Sequence, residues 1–554
     1  MAKDAKENKE TLTTADRLAE KQRDIGVAEF FARNRHLLGF DNKRKALLMT
    51  VKEAVDNALD ACEEAVILPE ISVELIDMQN DRFRVIVEDN GPGIVKKQVP
   101  NIFAKLLYGS KFHTFKQARG QQGIGISAAA LYGQLTTGRP IKILTKIGPD
   151  KPAYYCELHI DTKNNKPEII REEEKEWKKE HGTRLELDIE ATYQKGPQSV
   201  DQYLKETAIV NPHVTVIYTT PKAEQFVFPR ATDQLPKEPK EIKPHPYGIE
   251  LGVMMKMVKW TECRTLQAFL TQEFSRVGSG TAKELCEKAA LPPNTKPADM
   301  TPQMIERLVE AIKNTKLISP PTDCISPITS ELIERGLKKE IKAEFFCSIT
   351  RPPAVYRGNP FVIEAAIAYG GELPGDRPSE VLRFANRVPL MYQQGACAIN
   401  EAVIDTNWRP YGLNQSQGSV PQGPVIILVH LASVWAPFTS EAKEAIAHYP
   451  EIIKEMKLAL QECGRLLGSY VNKKKRVQSE FKKRSYIEKY LPHIGGALKE
   501  ILALNDTQER KVIESLKDVL ETSRHAIELD SVEGAGEDGF GLEFEEEKTD
   551  EGEE

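Results

Sequence analysis

Four groups of residues in this 554-residue chain have types and spacings that could do chemistry. In ARGQQGIGISAAALYGQL, Gly120, Gly123 and Gly125 sit directly before an alanine-rich stretch with helical character. Glycine-rich backbone feeding a helix N-terminus offers free N–H groups and a favourable dipole to phosphates. No G-K-[ST] follows, so this is not a Walker loop, and the spacing does not fit a dinucleotide fingerprint. In DRFRVIVEDNGPGI, Phe83, Val85, Val87 and Asp89 point the same way along a strand, so an aspartate ends a core-facing row. A buried carboxylate needs donors. Asp89 either caps its own turn or reaches a ligand's amino group. In HGTRLELDIE, Thr183 is the one polar member of a strand face shared with Leu185, Leu187 and Ile189. It reads as a satisfied core threonine or as a hydroxyl meeting the same ligand. In KALLMTVKEAVDNALDACEEA, Glu53, Asn57 and Asp60 lie together on a helix. On spacing alone a solvated polar face accounts for them better, yet Ala54, Ala58 and Ala61 run beside them as a small-residue stripe.

The elements that must position these groups follow from periodicity. Leu48, Val51, Val55, Leu59 and Cys62 fall on one face of the first helix, opposite the polar triad. Asn90-Gly91-Pro92-Gly93 turns the chain sharply after Asp89. Helical and strand-like patterns alternate from 26 to 230, as in an α/β domain. A proline-rich linker follows at 229–246. Leu266, Phe269, Leu270, Phe274 and Val277 recur at helical spacing, and Thr301-Pro302 opens another helix as cap plus first-turn proline. VIEAAIAY and VIILVHL read as buried strands of a second mixed unit.

At 40% hydrophobic and 29% charged residues, the chain has material for several cores. The longest apolar run, 425–434, is short and broken by His430, which excludes an ordinary transmembrane helix, and the charged N-terminus predicts no secretion. Eight cysteines contain no C-x-x-C pair, so free thiols are expected rather than a zinc site or disulfide framework. Residues 528–554 carry a net charge of −12 against +6 elsewhere. A mildly basic body with an acidic tail is compatible with a nucleic-acid partner.

Together and in this order, the four groups resemble the ATP-binding fold of the GHKL superfamily, shared by type II topoisomerases, heat-shock chaperone ATPases, mismatch-repair ATPases and histidine kinases. The resemblance implies that Glu53 polarises an attacking water, that Asn57 holds magnesium, and that Asp89 binds the adenine amino group, with Gly91 and Gly93 in the turn. Gly120, Gln121, Gln122, Gly123, Ile124, Gly125 and Ile126 would form a lid over the phosphates. Asp60, Ser110, Lys111 and Thr183 complete the expected ATP contacts.

AEFFARNRHLLGFDNKRKALLMTVKEAVDNALDA, the stretch around PHPYGIELG, the glycine-bearing helical insert and VWAPFTSEAKEAIA narrow the resemblance to the B-subunit family of archaeal-type topoisomerase VI, over residues 27–500. That family implies an α/β (α+β sandwich) architecture. Its expected segments are a mobile arm (1–25), a GHKL or Bergerat ATPase domain (26–235), a helix–two-turns–helix insert (245–325), an α/β transducer (328–490), C-terminal helices contacting the A subunit (491–527) and a disordered acidic tail (528–554). Thr439 or Ser440 is expected to cap a helix with Lys443 in its first turn, where a cation opposes the helix dipole. By resemblance Lys443 is the transducer lysine that reaches the γ-phosphate, and with Glu53 it completes the catalytic pair.

Asn407-Trp408-Arg409-Pro410-Tyr411 resembles a short transducer motif associated with DNA sensing, with an arginine in place of the expected lysine. Trp408, Arg409, Tyr411 and the basic run Lys473, Lys474, Lys475 and Arg476 are the DNA-contact candidates; the run reads equally as a solvated helical face. The implied function is that of the ATP-hydrolysing component of a type IIB topoisomerase. Its implied cofactors and partners are ATP, Mg2+, double-stranded DNA and the A subunit of topoisomerase VI, two A with two B, in the cytoplasm and on no membrane. The segment around Phe30 to Phe40 is expected to reach over the partner protomer's site. The alternative is another GHKL clamp, chaperone or mismatch-repair in type, without strand passage.

Overall fold

The computed structural model describes residues 25–111, 114–120 and 123–533, with Leu18 and Gln22. Most of the expected N-terminal arm, Gln121, Gln122 and the tail from 534 onward lie outside the described residues. The chain divides into two compact units, Met1–Gly468 and Ser469–Glu554.

From residue 25 onward the first unit runs through a helix, Val27–Arg33, and a 3-10 turn into the long helix Lys43–Glu64. Asn42 starts this helix, its side chain accepting from the Lys45 N–H at 2.8 Å, a cap that satisfies one of the orphan donors. Leu48, Val51, Val55, Leu59 and Cys62 are all buried, as the periodicity requires. They face an eight-stranded sheet of β1 (Glu70–Asp77), β2 (Arg82–Glu88), β3 (Ile141–Lys146), β4 (Ala153–Asp161), β5 (Lys166–Lys175), β6 (Gly182–Glu190), β7 (Thr215–Thr219) and β8 (Gln225–Phe228). The spatial order is β5-β4-β3-β6-β2-β1-β7-β8. Only β1 and β7 run parallel; the other neighbours are antiparallel. Burial alternates along β1, β3, β4 and β6, which marks one face packed and one facing solvent. Helices Lys43–Glu64, Gly125–Thr137 and Val200–Val210 cover the packed face.

Four helices, Leu251–Trp260, Leu266–Glu273, Ser279–Lys288 and Pro302–Lys313, build a separate core of their own. Thr301 caps the last of them with Pro302 in its first turn. Phe274 and Val277 belong to that core although their helix ends at Glu273.

The second sheet holds β9 (Phe345–Thr350), β10 (Ala354–Tyr356), β11 (Asn359–Tyr369), β12 (Glu380–Ala385), β13 (Val388–Pro389) and β14 (Val425–Ser433), ordered β10-β11-β14-β12-β13 with β9 also on β11. β11 and β14 contain VIEAAIAY and VIILVHL. They are the central pair, buried along almost their whole length. Their two polar residues face each other: Glu364 registers with His430, and the Glu364 carboxylate meets His430 Nδ1 at 2.8 Å. A break in an apolar run is thus a matched pair across the sheet.

Helix Ser330–Glu340 ties this sheet to the first. It crosses helix Val200–Val210 at Gly336, where a Cβ would lie 2.1 Å from the carbonyl oxygen of Ile209. Around that crossing Ile209, Val210, Ile333 and Leu337 share one core with β11, β12 and β14.

From Pro450 the chain is one helix to Leu502, so no break falls at 490; its residues from 469 onward count with the second unit. The last helix, Asp506–Glu533, continues six residues into the segment expected to be disordered. The sequence there still spaces apolar residues in a way a helix tolerates, and the glycines begin only at 534. Among the described residues no helix is long and apolar enough to cross a membrane.

The crossing at Gly336 leaves no room for a side chain. Gly336→Ala is expected to lower stability by about 1–3 kcal/mol, measured by thermal or denaturant unfolding, because the two helices must separate.

Candidate active site

The polar face of helix Lys43–Glu64, the end of β2, the segment before helix Gly125–Thr137, and the loop around Lys443 surround one cavity of about 620 Å³. Glu53, Asn57, Asp60, Asp89, Gly93, Ser110, Lys111, Gly120, Gly123, Ile124, Gly125, Ile126, Thr183 and Lys443 all line it. The alanine stripe contributes Ala54, Ala58 and Ala61 to the same wall. The volume is that of a site for a small organic molecule.

Asp89 is 8% exposed, and two backbone donors converge on its Oδ1: Gly91 N–H at 2.8 Å and Thr183 N–H at 3.1 Å. Asp89 therefore caps its own turn, and it also lines the cavity. Burial pushes its carboxyl from the ordinary 3.8 up to about 6, against the pull of the two N–H groups. Close backbone approach makes this possible. A Cβ at Gly182 would lie 2.3 Å from the Asp89 carbonyl oxygen, and Gly93, at φ +71°, sits against the carbonyl of Lys146. Thr183 does not stand alone. Its hydroxyl lies 3.1 Å from that of Thr145, which also accepts from Ile94 N–H at 2.9 Å. Thr145 has no motif around it, and only the pairing of β3 with β6 brings it here.

Glu53 is 9% exposed and makes no hydrogen bond or ion pair among the described residues. It is held by shape. A Cβ at Gly125 would fall 1.7 Å from its Oε2, so the first residue of helix Gly125–Thr137 rests on the carboxylate. Asn57 is exposed into the cavity and likewise has no hydrogen bond among the described residues. Its amide oxygen is a hard donor of the kind Mg2+ takes alongside phosphate oxygens and waters, so the residues present fit that ion.

Asp60 and Lys111 are also at the cavity, but they are engaged with each other at 2.7 Å. Asp60 additionally accepts from Arg119 at 2.8 Å. Arg119 is buried and binds Glu63 through both nitrogens, at 2.8 and 2.7 Å. Against the upward push of burial, these cations hold the Asp60 and Glu63 carboxyls below their ordinary range. Arg119 directly precedes the lid glycines and is the residue that sequence reasoning missed. A lone arginine beside glycines carries no signal until its two acids are seen.

Lys443 differs from expectation in its local structure. It does not lie in the first turn of a helix but in a loop at φ +52°. Phe438 bridges to Ile446, and Thr439 N–H donates to the Ala445 carbonyl at 3.0 Å, so the backbone groups a helix would need are already paired. The loop also spares the cation a conflict with a helix dipole. Glu444 fixes it to the first domain. Its carboxylate pairs with Lys45, near the start of helix Lys43–Glu64, and accepts from the Gln393 amide. Lys443 is 8% exposed, and its ammonium has no partner among the described residues. After burial, its charge is the main force lowering the buried Lys52 ammonium, one position from Glu53. Leu38 and Phe40 line the cavity of this chain, with Phe40 stacked on Tyr132 at 5.0 Å.

The DNA-contact candidates separate. Trp408 is fully buried, with Nε1 donating to the Val403 carbonyl at 2.8 Å, so it supports the loop and offers no surface. Arg409 is exposed and donates to the Gln415 carbonyl at 2.8 Å, while Tyr411 packs on Gly464. In the second unit Lys473, Lys475 and Arg476 are exposed on a helix and Lys474 is half-buried. All eight cysteines are free.

Two family models match the chain. One, described as histidine kinase-, DNA gyrase B- and HSP90-like ATPase, matches residues 42–189; the other, topoisomerase VI B subunit, transducer, matches residues 320–483. The type 2 DNA topoisomerase 6 B subunit of Methanococcoides burtonii is 50% identical over 512 residues, spanning 92% of this chain and 82% of that protein. That of Methanosarcina barkeri is 51% identical over 491 residues (88% and 79%), and that of Archaeoglobus fulgidus 46% over 516 (93% and 85%). The cavity lies where the two matched regions meet, with Glu53 and Asp89 in one and Lys443 in the other.

Asp89→Asn keeps an oxygen for both backbone donors and removes the buried charge. Ionising the wild-type carboxyl costs on the order of 3 kcal/mol, a penalty absent below about pH 4 and complete above about pH 6. Thermal melts should show the Asn variant gaining on wild type as pH rises through that window and holding the gain above it. A gain independent of pH would mean that the charge is not its source.

Proposed function

The chain belongs to the B-subunit family of type 2 DNA topoisomerase 6, and from that premise we propose how its cavity binds and hydrolyses ATP to gate a DNA duplex. One observation carries the reading. A carboxylate in contact with Gly125 and without a hydrogen bond among the described residues, a buried carboxylate with two backbone donors, a glycine lid at a helix N-terminus and an ammonium from the loop after β14, unpartnered among the described residues, converge on one cavity.

Asp89, with one oxygen committed to backbone, presents the other to the adenine amino group, and Thr183 and Thr145 support that end. The N–H groups of the lid and of the first turn of helix Gly125–Thr137 face the phosphates. Glu53 orients a water toward the γ-phosphate and takes its proton. Asn57 would hold Mg2+, which when bound neutralises phosphate charge. Lys443 donates to the γ-phosphate and stabilises the charge that develops there. That contact exists only while the γ-phosphate is attached, so hydrolysis releases the Lys443 loop from the nucleotide.

ATP-bound chains pair through their ATPase domains and close around a duplex. The topoisomerase VI A subunit, present in two copies with two of this chain, makes the break through which the duplex passes. Closure is favoured only by as much as ATP prefers the closed pair. Arg409, Tyr411 and the basic run at 473–476 meet the phosphate backbone. The assembly works in the cytoplasm on the nucleoid.

Glu53→Gln should lower kcat for ATP by about 100- to 10,000-fold while still binding a non-hydrolysable analogue, and Lys443→Met should lower kcat too, because each loses a group used at the transition state. With the A subunit present, the wild-type chain should relax supercoiled plasmid in an ATP-dependent way and Glu53→Gln should not. ATP turnover without any relaxation would favour a clamp that does not pass strands.

A further inference from the structure

β12 and β13 are joined by a two-residue turn, Asn386-Arg387, with Phe384 opposite Pro389 and Ala385 opposite Val388. Both turn residues are left-handed, at φ +49° and +64°. Such hairpin turns favour Asn and then Gly, so an arginine at the second position is held against its preference. It is also buried, at 6% exposure, where a cation is costly unless engaged. The surrounding chain provides that engagement. The guanidinium donates to the Ser326 carbonyl and hydroxyl and to the Pro327 carbonyl, each at 3.2 Å. The Arg387 N–H donates to His430 Nε2 at 2.9 Å, which leaves the ring proton on Nδ1 to meet Glu364.

The same turn grips the stem of the lid. Asn386 Nδ2 donates to the Ala118 carbonyl at 3.1 Å. Ser326, held by Arg387, exchanges two hydrogen bonds with the Gln117 side chain, at 2.8 and 3.2 Å. Arg119 donates to Asn211 Oδ1 at 2.6 Å, and Asn211 Nδ2 donates on to the Arg387 carbonyl at 3.4 Å. Gln117, Ala118 and Arg119 are the three residues before Gly120. They are thus fixed on one side by Asp60 and Glu63 of the ATPase helix and on the other by a strained turn of the second sheet.

We propose that the Asn386-Arg387 turn is a positioning element for the nucleotide lid, through which the second sheet sets ATP affinity by a route separate from Lys443. The inference rests on the ATP reading of the cavity. Arg387 touches neither nucleotide nor reacting atoms; it acts through Ser326, Gln117 and Asn211.

Arg387→Gly is the informative variant in the full chain, because glycine suits the backbone of the turn and keeps the N–H bond to His430 while removing the guanidinium. Its KM for ATP, and its Kd for a non-hydrolysable analogue, should rise about five- to tenfold with kcat within about twofold of wild type, the pattern of lost lid binding rather than lost chemistry. Arg387→Lys, which restores one donor to Ser326, should fall between the two. Gln117→Met cuts the stem from Ser326 without touching the turn and should reproduce the KM shift, so the idea stays testable if Arg387→Gly does not fold. A folded Arg387→Gly or Gln117→Met with wild-type KM and a changed melting temperature only would assign these residues to stability and overturn the proposal. Absence of ATP turnover in wild type would instead remove the ATP reading itself.

Discussion

Buried charge must find its partner inside the protein, and in this chain the partners come from distant parts of the sequence. Arg119 meets Asp60 and Glu63; Glu63 meets His213 at 2.7 Å; Glu364 meets His430. A lone member of any of these sets would leave an uncompensated charge in low dielectric, a cost of several kcal/mol per ion. The ATPase helix, the lid stem and the second sheet are therefore not free to settle independently. Burial is the main force holding both His213 and His430 below their ordinary range, against the upward pull of the carboxylate each one meets.

That framework lets the groups proposed to react stay unpaired among the described residues. Glu53, Asn57 and the Lys443 ammonium have no partners among the described residues, although side chains next to them in sequence are tied down: Asp56 accepts from the Tyr203 hydroxyl at 3.1 Å, and Glu444 is bound to Lys45. Neighbouring residues bear the work of fixing each element, and the reactive group is presented by the backbone that results. Gly125 against Glu53 is the sharpest case, since steric exclusion alone sets the carboxylate where a hydrogen bond would have occupied it.

Much of this is legible in the sequence, for identifiable reasons. The helix bearing Glu53 and Asn57 is readable because its apolar face obeys a 3.6-residue period, and Asp89 because it ends an alternating row just before glycines. VIEAAIAY and VIILVHL are readable because both-side burial leaves continuous apolar runs. What cannot be read is pairing across distance. Nothing in the string says that Glu364 and His430, the two interruptions of those runs, answer each other, or that Thr145 completes Thr183. The Lys443 segment misleads for a related reason. TSEAKEAI has good local helix character, but the bridge from Phe438 to Ile446 and the pull of Lys45 on Glu444 are tertiary, and they override it. Trp408 misleads because a motif names a residue without its burial.

Two loops after strands of the second sheet that approach the cavity side of the first domain share a backbone property. Lys443 at φ +52° and Arg387 at φ +64° are both long cationic residues in left-handed backbone; Gln393, which holds Glu444, is left-handed too. A non-glycine residue in this region costs on the order of 1 kcal/mol or more and persists only where contacts over-determine it. Here the contacts are those with the first domain: Glu444 on Lys45, and Asn386 on Ala118. At each loop a small backbone cost and a contact with the first domain therefore coexist. On the reading proposed above, the γ-phosphate contact of Lys443 adds to these contacts while ATP is bound and is lost on hydrolysis.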